Sequence, residues 1–230
     1  MKSQYRVVVI GGGVVGASIA YHLTKLGWRD VAILERSILT AGSSWHAAGG
    51  YHALNADPNI ASLQAYTIDV LSSLEQETGQ ATGIHMTGGV TFACTPDRWE
   101  WLQSAYRVFQ TMGIEDVRLM TPDEIYESCP IISTEGIYGG MWADREGYVD
   151  TTGVVQAYAK GARKLGADVV EHNRVVELRR RGDGWEVVTE KGTIVAEHVI
   201  NAAGLWAKQV GRMVGLDLPI SPLEHHYLVT

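Results

Sequence analysis

The chain has little cysteine. Cys94 and Cys129 are its only thiols in 230 residues, far apart and without a CxxC pairing. That excludes a disulfide scaffold and a structural zinc site. It also lacks an excess of positive charge: 19 Lys and Arg stand against 26 Asp and Glu, a net charge of −7. Nucleic acid and anionic membrane surfaces are therefore poor candidate partners. No HxH, HExxH or carboxylate cluster marks a metal site. The longest uncharged run, Val7 to Leu23, is interrupted by Gly11, Gly12, Gly13 and Gly16. It falls short of the ~20 apolar residues that a membrane span needs. No signal or transit peptide is read ahead of the first strand-like run, and there is no internal repeat, charge block or disordered linker. These absences fit a chain without a membrane span in a reducing compartment. The expectation is the cytoplasm, or the mitochondrial matrix of a eukaryote once a transit peptide is gone.

Glycine, by contrast, is abundant: 26 of 230 residues, above the usual ~7% and gathered in three stretches. Arg6 to Ile10 reads as a strand buried on both faces. A glycine turn and a helix follow, with Val15, Ile19, Leu23 and Leu26 expected inward and Gly27 as the stop. Val31 to Leu34 is a second buried strand ending at Glu35, which completes a βαβ unit. Beyond the small-residue loop Thr40 to Gly50, Asp57-Pro58 opens a helix expected to bury Ile60, Leu63, Val70, Leu71 and Leu74. Ile84 to Cys94 alternates like a strand. Thr95-Pro96 starts a helix with Trp99, Leu102, Tyr106 and Phe109 on one side. Thr121 and Glu124 form a capping box, and Gly136 to Trp142 reads as a strand. An α/β pattern returns at Asp150, with a helix to Gly166 and a third parallel strand over Asp168 to Glu171. Arg174 to Ile200 reads as three antiparallel strands turning at Gly182–Gly184 and Lys191-Gly192. A short helix follows, and His225 to Thr230 reads as a last strand.

The predicted class is α/β: a Rossmann-like domain with a three-stranded β-meander, interrupted by the start of an α+β substrate domain. The expected division is 1–83 and 150–220 for the nucleotide-binding domain, 84–149 for the insertion, and 221–230 for the first of further strands.

The run GGGVVG supplies Gly11-x-Gly13-x-x-Gly16 between a strand and a helix. Gly11 permits the tight turn, Gly13 allows backbone to approach a pyrophosphate, and Gly16 allows close helix–strand packing. The helix N-terminus at Val14 and Val15 offers unpaired N–H groups to phosphate. Glu35 is placed to accept hydrogen bonds from a ribose. A Glu there excludes neither NAD nor FAD. The loop TAGSSWHAAGG favours a large flat ligand, because Gly42, Ser43, Ser44, Ala47, Ala48, Gly49 and Gly50 let backbone lie against it.

Together the fingerprint, the TAGSSWHAAGG loop and the NAAGLWA segment resemble the D-amino-acid-oxidase-type flavoproteins. Within them they are most similar to the dimethylglycine/sarcosine dehydrogenase branch, over essentially the whole chain. The resemblance implies FAD as cofactor, covalently held through the His of the WHAAG motif. The matching residue is His46, beside Trp45; His52 is a second candidate. It further implies that Arg36 flanks the adenosine with Glu35, and that Val175 presents backbone to adenine. Ala203, Gly204 and Trp206 would form a second turn near the cofactor, Trp206 being read equally well as a core aromatic. Glu224-His225-His226-Tyr227 resembles a segment whose His lies near the substrate amine. His225 is the candidate to hold the amine proton, with Tyr227 as neighbour.

The activity so implied is oxidation of N-methylated glycine-type amines, dimethylglycine or sarcosine. Hydride passes from the N-methyl carbon to flavin, and the acceptor beyond is an electron-transfer flavoprotein or oxygen. Other substrates such as methylaminobutyrate, and a non-catalytic flavin-binding fragment, stay open. Such enzymes continue into a folate-binding region, so tetrahydrofolate is expected only of a longer parent, of which this chain reads as the N-terminal portion.

Overall fold

The structure is a computed structural model and describes residues 1–52, 55, 57–226 and 228. In chain order the elements are β1 (Gln4–Ile10), α1 (Val14–Lys25), β2 (Val31–Leu34), β3 (Gly50–Tyr51) and α2 (Pro58–Thr78). Then come β4 (Gly89–Ala93), α3 (Pro96–Thr111), β5 (Val117–Met120), α4 (Pro122–Ser128), β6 (Gly139–Ala143) and β7 (Gly147–Tyr148). The last part holds α5 (Thr151–Lys164), β8 (Asp168–Val170), β9 (Val175–Arg181), β10 (Gly184–Thr189) and β11 (Gly192–Asn201). A 3₁₀ turn (Gly204–Trp206) and α6 (Ala207–Arg212) follow. The chain divides into two compact units: Met1–Ala48 with Leu74–Thr82 and Asp150–Thr230, and Gly49–Ser73 with Gly83–Val149.

The first unit is built on a six-stranded sheet in the order β8-β2-β1-β11-β10-β9. β8, β2, β1 and β11 run parallel, while β10 and β9 are antiparallel. β1 and β2 are apolar along their cores because helices and loops cover both faces: Val7, Val8, Val9, Val31, Ala32, Ile33 and Leu34 are all buried. This is the expected α/β sheet with its antiparallel meander. The meander's last strand is longer than expected. β11 pairs with β10 and also with β1, so VIN of the VINAAG run completes it.

Helix α1 corrects one expectation. Its buried residues are Gly16, Ala17, Ala20, Tyr21 and Thr24, whereas Val15 is 59% exposed and Leu26 77%. Small residues face inward because the helix starts on top of the Gly11 turn. They also let α1 approach α5, where a Cβ on Gly161 would fall 2.7 Å from the Tyr21 ring. In α2, likewise, Val70, Leu71 and Leu74 are buried as expected, together with Ala61 and Ile68, but Ile60 and Leu63 are exposed. The side chain of Asp57 accepts hydrogen bonds from the N–H groups of Asn59 and Ile60 at the start of this helix.

The second unit has a three-stranded antiparallel sheet, β4-β6-β5, and a two-stranded ribbon, β3-β7. Its core joins Ala93, Leu102, Phe109, Val117, Met141 and Ala143, with Trp99 and Tyr106 packed against it. Thr95 caps α3, and Thr121 and Glu124 form the expected capping box of α4. The expected strand over 84–94 is trimmed to β4, and the one over 136–142 starts later and ends one residue further on, as β6. The expected terminal strand is not found among the described residues 221–226 and 228. Among the described residues, no helix is long and apolar enough to cross a membrane.

Candidate functional site

Parallel strands gather the loops at their carboxyl ends, and ligands of open α/β sheets bind in the crevice there. In this chain β1 ends at Ile10, β2 at Leu34 and β11 at Asn201. The loops that leave them enclose a cavity of about 240 Å³. Gly11 makes the turn out of β1 with φ +116°, and a Cβ there would sit 2.3 Å from the Ala202 carbonyl oxygen. Gly16 is equally constrained, since its Cβ would lie 2.0 Å from the Gly11 carbonyl oxygen. The first contact joins the glycine turn to the Ala202–Gly204 turn, and the second packs α1 onto the glycine turn itself. Asn201 braces the second turn, its side-chain amide donating to the Ala207 carbonyl at 2.8 Å.

Glu35 stands at the end of β2. Its carboxylate accepts hydrogen bonds from Gly12 N–H at 2.7 Å and Ser37 N–H at 2.8 Å. A carboxylate has about four acceptor positions, so ~2 remain for a ligand. Arg36 lies over the Trp206 ring, with its guanidinium carbon 3.6 Å from the centroid. Ser44 reaches back to α1, where its Oγ accepts the Val14 N–H at 2.9 Å. Val15 remains in the first helical turn, whose N–H groups have no partner within the helix.

The cavity wall brings together Gly11, Gly13, Val14, Val15, Glu35, Arg36, Gly42, Ser43, Ser44, Val175, Ala203, Gly204 and Trp206. All thirteen were expected from the sequence to touch a cofactor. Gly16 supports the turn from behind. Trp45, His46, Ala47, Ala48 and Gly49 are not on the wall, and Gly50 lines a separate recess in the second unit. Trp45 and His46 are exposed and stacked, with ring centroids 3.8 Å apart. His225 and His226 are exposed in irregular chain. Tyr227 lies outside the described residues.

The wall also holds residues that sequence reasoning missed: Arg174, Gln209, Val210 and Met213 among them. Arg174 carried a signal, a cation one position before Val175 at the mouth of the meander. Gln209, Val210 and Met213 come from α6 and the turn after it, which no motif marks. The parallel sheet, the glycine turn and the acid at the end of β2 define a dinucleotide-binding α/β fold. Among the described residues, no group of His, Cys, Asp and Glu is arranged to hold a metal ion.

The sequence profile of the FAD dependent oxidoreductase family (DAO) matches residues 6–230, and the chain belongs to that family. It is 39% identical over 231 residues to the mitochondrial dimethylglycine dehydrogenase of Rattus norvegicus, covering 100% of this chain and 27% of the relative. It is 35% identical over 237 residues to the mitochondrial sarcosine dehydrogenase of Mus musculus, covering 100% of this chain and 26% of the relative. The chain thus spans about a quarter of the length of these relatives. Among solved structures, glycine oxidase from Geobacillus kaustophilus superposes with a TM-score of 0.83 at 30% identity, over 94% of this chain and 60% of that one.

Proposed function

We propose that this chain is the FAD-binding portion of an amine oxidoreductase acting on N-methylated glycine-type substrates, dimethylglycine or sarcosine. The observation that carries the reading is the cavity wall, where a glycine turn, a strand-end carboxylate and a small-residue loop converge. The residues fit the nucleotide part of FAD. Backbone packs against backbone where Gly11 and Gly16 lack side chains, and Glu35 keeps free acceptor positions for ribose hydroxyls. The helix terminus at Val15 offers N–H groups and a positive dipole end to phosphate. The adenosine diphosphate portion would lie against this wall, with Arg36, Trp206, Arg174 and Val175 around it.

When bound, the flavin supplies a two-electron acceptor for hydride from the substrate's N-methyl carbon. The remaining roles belong to this chain. His46, exposed and stacked on Trp45, is the imidazole that would tether the flavin covalently. The segment 45–50 would lie along the ring. His225 would hold the proton that the substrate ammonium must lose, because only the free amine releases hydride readily. The resulting iminium is hydrolysed to formaldehyde, or passed to a folate in a longer parent protein. An electron-transfer flavoprotein or oxygen would be the acceptor of the electrons. The higher identity to enzymes named for dimethylglycine (39%) and sarcosine (35%) than to the 4-methylaminobutanoate oxidase of Paenarthrobacter nicotinovorans (32%) supports this substrate class, with methylaminobutyrate as the alternative.

The test is a denaturing gel of the expressed chain viewed under ultraviolet light, alongside His46→Ala. A fluorescent wild-type band that the substitution abolishes supports the tether. Yellow protein without a fluorescent band supports non-covalent FAD. Colourless protein overturns the reading. Anaerobic bleaching by dimethylglycine or sarcosine, in a protein extended past residue 230, tests the amine assignment.

A further inference from the structure

The cavity at the strand ends has an apolar floor supplied by the hydrophobic core. Ile10, Leu34, Val175 and Val210 on its wall are buried members of that core, and Ala203 and Met213 pack against it. A flat aromatic group laid there is freed of water on one whole face. Its orientation then has to come from a few polar side chains at the rim. The rim carries Glu35, Arg36, Arg174 and Gln209. Two of these already have partners: the Gly12 and Ser37 N–H groups for Glu35, and the Trp206 ring for Arg36.

Arg174 and Gln209 differ. Both are exposed, and among the described residues neither side chain makes a hydrogen bond or an ion pair. Each is followed in the chain by a floor residue, Arg174 by Val175 and Gln209 by Val210. The start of β9 is pinned on both sides. Asn173 N–H donates to the Glu35 carbonyl at 2.8 Å, and the Arg174 carbonyl accepts the Glu190 N–H at 3.0 Å. The root of Arg174 is thereby held near the strand-end acid. Gln209 stands one helical turn beyond Trp206, on the side of α6 that carries the stacked pair.

These two side chains have complementary uses toward a base. A planar guanidinium stacks on an aromatic face. A primary amide presents an acceptor beside donors, the pattern that matches adenine where its amino group adjoins a ring nitrogen. A phosphate at this rim would engage Arg174 but leave the apolar floor and the amide unused. We propose that Gln209 selects adenine in this cavity, its amide oxygen accepting from the 6-amino group, while the Arg174 guanidinium lies across the base face. The inference rests on the reading that the adenosine diphosphate portion of FAD occupies this wall, and it adds which residues read the base.

The test is calorimetric titration of the full chain carrying His46→Ala and freed of FAD by dialysis. The probes are ADP, purine riboside diphosphate, which lacks the 6-amino group, adenosine and FMN. ADP is expected to bind ~5-fold more tightly than the purine riboside analogue, the scale of one net hydrogen bond. Gln209→Leu should erase that preference, whereas Gln209→Glu, which keeps an acceptor oxygen, should retain it. A merely structural role for Gln209 would weaken both nucleotides together. Arg174→Ala should weaken both ~3-fold with the preference intact, as for a lost stacking cation. Adenosine should show the same ~3-fold loss, which a contact to phosphate would not produce. Circular dichroism confirms that each variant is folded. No preference in the parent chain, a preference that survives Gln209→Leu, or a Gln209 dependence confined to FMN overturns the proposal. Unchanged adenosine affinity in Arg174→Ala overturns the stacking role. The two readings fail separately. FAD binding without a preference for ADP removes this inference alone, and binding of neither FAD nor ADP removes the cofactor reading and this one with it.

Discussion

The Arg36 guanidinium stacks on the Trp206 ring at 3.6 Å, joining the residue after the strand-end acid to the second glycine turn. The two lie ~170 residues apart in the chain, so this single contact ties the two halves of the cavity wall together, at the ~1 kcal/mol scale of a cation–π pair. A Cβ on Gly42 would also meet the Trp206 ring at 3.6 Å, which brings the small-residue loop into the same cluster.

Truncating the aromatic partner should loosen the nucleotide. In a His46→Ala background, where no tether can form and binding is reversible, Trp206→Ala is expected to raise the FAD dissociation constant ~5–30-fold, matching ~1–2 kcal/mol for a partly desolvated cation–π contact. Trp206→Phe should fall in between. Flavin fluorescence quenching measures the effect, and equal affinity for Ala and wild type would contradict the stack as a binding element.

Neutralising the strand-end acid has a different signature. Glu35→Gln keeps the size but replaces one carboxylate oxygen with an amide donor, which cannot accept the Gly12 or Ser37 N–H. A loss of ~1.5–3 kcal/mol per charge-assisted bond predicts at least a 10-fold weaker FAD complex. The thermal midpoint of the FAD-free protein should also fall, because those two bonds exist without ligand.

Gly16 sets two effects against each other. In a helix, alanine is better than glycine by ~1 kcal/mol. Here the added Cβ would lie 2.0 Å from the Gly11 carbonyl oxygen. Overpacking costs ~1–3 kcal/mol, and backbone on both sides cannot step aside. The clash wins, so Gly16→Ala should lower the melting temperature and abolish FAD binding. Gly27→Ala, at an open helix end with φ +87°, should cost less and leave FAD binding intact.

Tyr5 makes stability depend on pH at the alkaline end. Its buried hydroxyl donates to Asp168 Oδ2 at 2.7 Å and accepts the Lys2 N–H at 2.7 Å. Burial and the bond to Asp168 push its pKa up to about 12. The folded value lies above the unfolded one of ~10. The contribution is therefore complete below pH ~10 and is lost as pH rises toward 12. Melting curves between pH 9 and 12 should show that decline, and Tyr5→Phe should remove that part of it. An unchanged profile in the variant would contradict the assignment.

The fold was legible where pattern and physics coincide. Val7 to Ile10 and Val31 to Leu34 are apolar without alternation because both faces are covered, and the βαβ unit follows from them. Thr121 with Glu124 identified a cap by residue type and spacing alone, and the reciprocal hydrogen bonds are present. The inward face of α1 was not legible. Large apolar residues suggested Val15 and Leu26, yet the helix packs through Gly16, Ala17 and Ala20, because tertiary closeness favours the small side. Of the site, the glycine turn, Glu35 and the Ala203–Trp206 turn could be placed from motifs. Ser44 as the partner of the Val14 N–H, and Arg36 on Trp206, needed coordinates, since both join segments distant in sequence. Gln209, in α6, had no motif to reveal it.

One strand has a consequence for how the molecule comes into being. β11 serves as neighbour to both β1 and β10, and Gln4 aligns with Val195. During synthesis, the second strand-edge of β1 stays open until ~190 further residues have emerged, the kind of distant pairing that slows assembly. The N-terminal nucleotide turn is thus made early but finished late. A ribosome-bound chain ending anywhere before the meander closes would present a bare apolar ribbon to chaperones, and no cofactor could settle on it.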